Sequence, residues 1–388
     1  MKKRIGLFVA GSPHHGGKFQ YNLNMLQAVA ALPQEGYEVV VSFIEDHWAQ
    51  YIDKHISGFR ARRGFGDRAA FKIWHQSGLP VQWWRNLAPY FYPLAQQLLK
   101  QHCSLWIFPW EDTFAYQMPL PTLVAIHDLM HRYEPHFPEV ARHYQRRERE
   151  NRHICRWTRG VLVDSPVGKE QVEASYGLNP ALMHVLPYVA PGYIFANLPG
   201  QTNLDKYALP PKFIFYPAQF WQHKNHQGLI LAAAALKGRY PDIHLVFAGS
   251  RQNGYLPIHE LVSQLGLQDR VHFLGYVPNA DIPELYRRAR AMMMPTFFGP
   301  TNIPPLEAHA LGCPTAVSDI YAMRWQSGDA AIYFDPSTIT EIAQAMEKLW
   351  TDDALCQELS RLGLARAAQW TQTHFNERLR NIIDKVLG

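Results

Sequence analysis

A histidine and an aspartate close an apolar run, Val124-Ala-Ile-His127-Asp128, and a lysine, Lys224, sits in a polar loop after another, Lys212-Phe-Ile-Phe-Tyr216. A third group, Gly299-Pro-Thr-Asn-Ile-Pro-Pro-Leu-Glu307, joins a strand-like run to a helix. These types suit an anionic phosphoanhydride and a vicinal diol. The Pro300-Thr301-Asn302-Ile303 loop ahead of Pro304-Pro305 offers backbone N–H groups and the positive helix end to a diphosphate. Lys224 can neutralise the same phosphates. Glu307, one turn into the helix, can accept two hydrogen bonds from a ribose diol. In isolation Pro-Pro-Leu-Glu is also an ordinary helix start with a dipole-favoured acid. His127 and Asp128 stand at the C-terminal end of a strand, where open α/β sheets bind ligands; Asp128 serves equally well as a helix N-cap. Gly16-Gly17 closes a tight turn that needs no ligand.

The elements that position these residues alternate. A buried-strand pattern, Arg4 to Ala10, runs through the turn Gly11 to Gly17 into a helical stretch from about Gln20 to Leu32, then a strand from Glu38 to Ile44. Further apolar runs at 105–108, 122–126 and 160–163 continue the rhythm of a parallel sheet covered on both faces. The Pro-, Gly- and Asn-rich stretch 189–212 reads as a linker. A second α/β unit follows, with strands at 212–216, 244–248, 271–274, 291–294 and 315–317 and helices near 226–239, 257–265 and 281–290. The pattern Phe375, Leu379, Ile382, Ile383, Val386 marks a final amphipathic helix, 374–387.

Composition sets the outer bounds. With 388 residues, 47% hydrophobic and 18% charged, the chain buries two or three cores and is not globally disordered. Cys103, Cys155, Cys313 and Cys356 lie too far apart for a zinc motif or a disulfide framework, which suits a reducing cytoplasm. There is no bilayer-length apolar run and no signal-peptide pattern, so the expected location is cytoplasmic. The net charge of +5 is unevenly placed: residues 1–188 hold 21 basic and 16 acidic side chains, and 189–388 hold 17 of each. Residues 54–100 contain eight basic side chains, one acid and nine aromatics, and 142–159 contain seven arginines and two glutamates. A peripheral contact with an anionic membrane inner face accounts for these stretches better than nucleic acid does, and a solvated face is the plain alternative. The segment from Ser57 to Gln82 also reads as an acceptor-binding loop.

Four stretches, 215–226, 271–286, 294–314 and 328–336, resemble in wording, order and spacing the nucleotide-sugar domain of the retaining glycosyltransferases of family 4 (group 1 glycosyltransferases). The resemblance covers nearly all of 206–388. It implies an α/β GT-B fold: two doubly wound Rossmann-like domains facing a central cleft. The acceptor domain would be 1–188, with helix 374–388 packed back on it, and the nucleotide-sugar domain 206–370. It further implies that His127 hydrogen-bonds a donor-sugar hydroxyl, with Asp128 beside it and Lys224 on the leaving diphosphate as the catalytic set. Gly16, Gly17, Gln219, Gly299, Pro300, Thr301, Asn302, Ile303 and Glu307 would bind the donor. Two positions depart from the family. Gly299 stands where a glutamate is usual, eight residues before Glu307, and Gln219 where an arginine is usual, five before Lys224. Gly299 leaves no nucleophile there, which fits a front-face mechanism in which the β-phosphate takes the acceptor proton.

The expected activity is therefore transfer of a hexose, mannose or rhamnose, from a nucleotide diphosphate sugar to a hydroxyl of a lipid-linked or surface-polysaccharide acceptor. No metal and no cofactor beyond the nucleotide sugar is expected. The alternatives are a non-catalytic nucleotide-sugar or glycan-binding subunit of a polysaccharide assembly system, and a GT-B sugar nucleotide epimerase.

Overall fold

The computed structural model describes residues 2–13, 16–61, 66, 69, 73–74, 78–196 and 202–388. Parts of the expected acceptor loop, Arg62 and Arg63 among them, and His14-His15 of the glycine-rich turn lie outside the described residues.

Short runs, most of them apolar and buried, become strands. In the first sheet these are β1 (Lys3–Val9), β2 (Tyr37–Phe43), β3 (Ser57–Arg60), β4 (Leu105–Phe108), β5 (Thr122–Ala125), β6 (Gly160–Val163) and β7 (Met183–Val185), in the order β3-β2-β1-β4-β5-β6-β7. The second holds β8 (Ile214–Pro217), β9 (Leu245–Ala248), β10 (Val271–Gly275), β11 (Ala291–Met294), β12 (Thr315–Ser318) and β13 (Ile332–Phe334), in the order β10-β9-β8-β11-β12-β13. Every pairing is parallel. The central strands β4, β5, β6, β9, β11 and β12 are buried along their whole length, as helices on both faces of a parallel sheet require. In each sheet the strand order reverses once, between β1 and β4 and between β8 and β11. Connections leave such a point in opposite directions, so the loops at the C-terminal strand ends part and leave a crevice for ligand.

The chain divides into two compact units. The first comprises Met1–His131, His143–Tyr188 and Gln372–Gly388. The second comprises Arg132–Arg142 and Val189–Thr371. Within the first, the last helix (Gln372–Leu387) buries Phe375, Leu379, Ile382 and Ile383. Its Gln372 Nε2 donates to the Asn24 carbonyl at 3.0 Å, and Asp384 accepts from both Lys3 and Tyr37.

Two expectations are corrected. The stretch 189–212 is not a free linker, because Ile194 and Leu204 are buried in the core of the second unit and Lys212 Nζ donates to the Trp350 carbonyl at 2.7 Å. Residues 132–142, assigned from sequence to the acceptor domain, pack in the second unit: Phe137 lies 5.5 Å from the Phe297 ring, and Tyr321 donates to Glu134 at 2.5 Å. Three strands had no sequence signal. β3, β7 and β13 are sheet-edge strands of three or four residues, and the buried apolar pattern of the central strands is absent from β3 (Ser57-Gly-Phe-Arg60) and incomplete in β7 and β13.

Candidate functional site

In the second unit the site forms where β8 and β11 part. The chain leaves β8, makes a helical turn over Gln222–Lys224, and enters the His226–Leu236 helix through Asn225. Asn225 has the left-handed φ of 53°, and its Oδ1 accepts from the Gly228 N–H, capping that helix. The Lys224 carbonyl accepts from the Tyr216 hydroxyl at 3.0 Å, and its Nζ donates to Asn302 Oδ1 at 3.2 Å. Asn302 is itself held from behind. Its N–H donates to Gln326 Oε1 at 3.0 Å, and its carbonyl accepts from Gln326 Nε2 at 2.5 Å. The structure thus brings together Lys224 and Asn302, which are 78 residues apart in sequence.

The loop 299–303 offers fewer backbone N–H groups than its sequence suggests. Of the four N–H groups that begin a helix, Pro304 and Pro305 have none and that of Asn302 is engaged by Gln326, leaving Ile303. Pro300 is buried and its carbonyl accepts from Ala322; Thr301 is buried as well. Gly299 has φ of 107°, and a Cβ there would stand 2.9 Å from Asn302 Nδ2. The local backbone therefore requires glycine. The missing glutamate is matched by a loop conformation that does not admit one.

Glu307 is buried, and both carboxylate oxygens accept from tyrosines: Oε1 from Tyr193 and Oε2 from Tyr286 at 2.7 Å. Burial pushes its pKa up, and the two tyrosine hydroxyls partly counter that. The expected ribose acceptor is thus an internal one here, and a diol must share or displace the hydroxyl of Tyr193. Gln219 is a neutral amide and does not replace the charge of the family's usual arginine. Its Oε1 accepts from Trp221 Nε1 at 2.9 Å.

In the first unit, Gly16 and Gly17 are exposed at the start of the Gly17–Ala30 helix that follows β1, and Gly16 has φ of 59°. His127 follows β5, and both of its ring nitrogens are engaged. Pro109's carbonyl can only accept, so Nε2 donates to it at 2.7 Å; in the neutral ring Nδ1 then accepts from the Tyr188 hydroxyl at 2.8 Å. In this arrangement protein partners engage both nitrogens of the ring that the resemblance places on a sugar hydroxyl. Asp128 takes the capping alternative. It accepts from the Met130 N–H at 2.9 Å and pairs with Arg147 at 2.8 Å. Burial would raise its pKa, but Arg147 and the Met130 N–H outweigh this and hold it low.

Sequence reasoning missed Arg147, Tyr193, Gln326 and Glu139. Glu139 accepts from His223, the neighbour of Lys224. The only advance signal for Glu139 was its place in Phe137-Pro-Glu139, shortly after His127-Asp128. Among the described residues no three His, Cys, Asp or Glu side chains group so as to hold a metal ion, and no helix is long and apolar enough to cross a membrane.

The family model for the group 1 glycosyl transferases matches residues 202–365. The second unit belongs to that family. The glycosyl transferase domain is also similar to the serotype-specific mannosyltransferase WbdA of Escherichia coli, 33% identical over 181 residues, or 45% of this chain and 22% of the relative. The chain thus spans about a fifth of that relative's length. Two solved structures share the fold over nearly their whole length. A glycosyltransferase from Rickettsia africae has a TM-score of 0.74 at 14% identity, covering 100% of this chain and 99% of its own. Anabaena Alr3699/HepE in complex with UDP-glucose has 0.72 at 15%, covering 98% and 99%. The expected GT-B fold of paired Rossmann-like domains is therefore present, with the group 1 glycosyl transferase domain as its second half.

Proposed function

We propose that the protein is a retaining hexosyltransferase that moves mannose from a nucleotide diphosphate sugar to a hydroxyl of a surface-polysaccharide or lipid-linked acceptor. The carrying observation is the Lys224–Asn302 pair at the switch point of the second sheet, beside the N-terminus of the Ile303–Ala310 helix. A cation fixed there neutralises charge as the diphosphate leaves. The reading takes its sugar from the WbdA-like sequence and its donor class from the fold shared with the UDP-glucose complex. The β-phosphate serves as base, and no metal is needed. Calorimetry against GDP-mannose, dTDP-rhamnose and UDP-glucose, followed by NMR of the product anomer with and without excess chelator, tests this. An inverted anomer, or activity abolished by chelation, refutes the mechanism.

The acceptor side is read as a cytoplasmic protein peripheral to a membrane. The Val81–Phe91 helix exposes Trp83, Leu87 and Tyr90 at spacings of four and three, one helical face, inside the basic 54–100 stretch. The 142–159 stretch contributes less, because Arg146, Arg147 and Arg152 are paired with acids. A second reading, a non-catalytic nucleotide-sugar-binding subunit, is favoured by the glycine-only loop at 299. Binding without any turnover would establish it.

A further inference from the structure

Residues 132–142 form a strap within the second unit, and three of its attachments share one property. Each falls on a loop at the C-terminal end of a strand of the second sheet, the edge where such sheets bind ligand. Glu134 accepts from the hydroxyl of Tyr321, after β12. Phe137 packs against Phe297 and Phe298, after β11, with ring centroids 5.5 and 5.6 Å apart. Glu139 reaches the loops after β8 and β9.

Glu139 is the best-connected of the three. Its Oε1 accepts from the His223 backbone N–H at 3.0 Å and from His223 Nδ1 at 2.5 Å, and its Oε2 accepts from Asn253 Nδ2 at 3.0 Å. The Glu139 side chain is only 6% exposed. Asn253 Oδ1 in turn accepts from the Gln222 N–H at 3.2 Å. His223 is closed in from the remaining sides. Its ring stacks on Phe298 at 3.7 Å, and its carbonyl accepts from the Phe297 N–H and the Thr296 hydroxyl. The residue before Lys224 therefore has its backbone N–H, carbonyl and ring all fixed, and one carboxylate supplies two of those restraints.

We propose that Glu139 is a positioning residue for sugar transfer: through His223 it sets the place of Lys224 against the leaving diphosphate, and the 132–142 strap is the clamp that presents it. Burial would raise the Glu139 pKa, but the hydrogen bonds from His223 and Asn253 hold it down to about 2, so the anchor stays ionised at neutral pH. Glu139 touches protein groups and acts on the reaction only through the lysine. The proposal rests on the glycosyl transfer reading above.

A double-mutant cycle tests it. Glu139→Ala, or Glu139→Gln should the alanine variant not fold, is expected to lower kcat/KM about 10- to 100-fold in the wild-type background. In a Lys224→Ala background it should lower it less than about threefold, since the group it positions is gone. An equal factor in both backgrounds overturns the proposal, because a general loss of folded protein multiplies through. Amide hydrogen exchange of the free protein gives an answer independent of turnover. Exchange at 219–225 should rise in Glu139→Gln while the strands keep their protection; unchanged exchange there overturns the clamp. Wild-type protein that turns over no nucleotide diphosphate hexose would sink the transfer reading instead, and leave the exchange result to decide the strap.

Discussion

Lys224 Nζ meets Asn302 Oδ1 at 3.2 Å across the point where β8 and β11 diverge, so the one cation of the 219–225 loop is aimed by the cap residue of the next loop's helix. The amide fixes the direction of the ammonium without neutralising it. Lys224→Ala should lower kcat/KM by about 100-fold or more, the range seen when a preorganised charge-stabilising group is removed. Asn302→Ala, which keeps the charge and loses its direction, should cost less. Nucleoside diphosphate release under initial-rate conditions measures both. A Lys224→Ala enzyme of wild-type rate removes the lysine from the mechanism.

Gly299 predicts the outcome of restoring the family's usual acid. At φ of 107° an L side chain is strained, by about 1–3 kcal/mol for such a region, and its Cβ would press on the amide that aims Lys224. Gly299→Glu should lower the melting temperature and reduce activity. A stable, more active variant would show that the loop accepts another conformation.

The parts of this arrangement that sequence made legible are those with a local signature. Strands such as Leu105–Phe108 and Ala291–Met294 are buried on both faces, so they appear as unbroken apolar runs, and the 299–307 loop has its own spacing of Gly, Pro and Glu. What was not legible depends on chain-distant pairing. Glu139 and His223 are 84 residues apart, and Tyr193 and Glu307 114 apart; neither partner is unusual in its local sequence. The backbone donors were overestimated for a different reason. Pro304-Pro305 marks a helix start, but the same two residues remove half of the N–H groups that such a start normally offers.

Asp128 separates a structural from a catalytic role. Removing it leaves the largely buried Arg147 without its nearest partner, with Glu111 at 3.9 Å as the next carboxylate. Asp128→Ala should therefore destabilise by about 1–3 kcal/mol, discounted from a fully buried pair because both groups keep some solvent. Arg147→Ala in the same chain should recover part of that loss. Denaturant unfolding of the two single variants and the double variant measures the coupling. Full stability with lost turnover in Asp128→Ala would instead return the aspartate to the catalytic set.

The Trp83, Leu87 and Tyr90 face predicts where vesicles bind. Trp83→Ala with Tyr90→Ala should weaken sedimentation with phosphatidylglycerol vesicles several-fold, with little effect on neutral ones, because the surrounding basic side chains each contribute about 1 kcal/mol only at an anionic surface. Equal binding before and after the substitutions would exclude this face.

Acid sensitivity should come first from histidines and not from carboxylates. His226 is fully buried, with Phe220 stacked on its ring at 4.4 Å, and burial pushes its pKa down to about 3; burial likewise takes His309 to about 4. Both are neutral in the folded protein at pH 5, whereas the unfolded chain protonates them below about 6.5. Their contribution is complete above pH 6.5 and is lost as pH falls toward 4 and 3, at about 1.4 kcal/mol per pH unit for each ring. Glu139, held near 2, begins to lose its share only below about 4.5, the ordinary glutamate value. Between pH 6 and 5 each of these two buried rings therefore adds to the slope of unfolding free energy. His226→Phe should reduce that slope by about one proton in urea titrations across this window. An unchanged slope would mean that the His226 ring gains its proton in the folded state, and that its pocket is open to water.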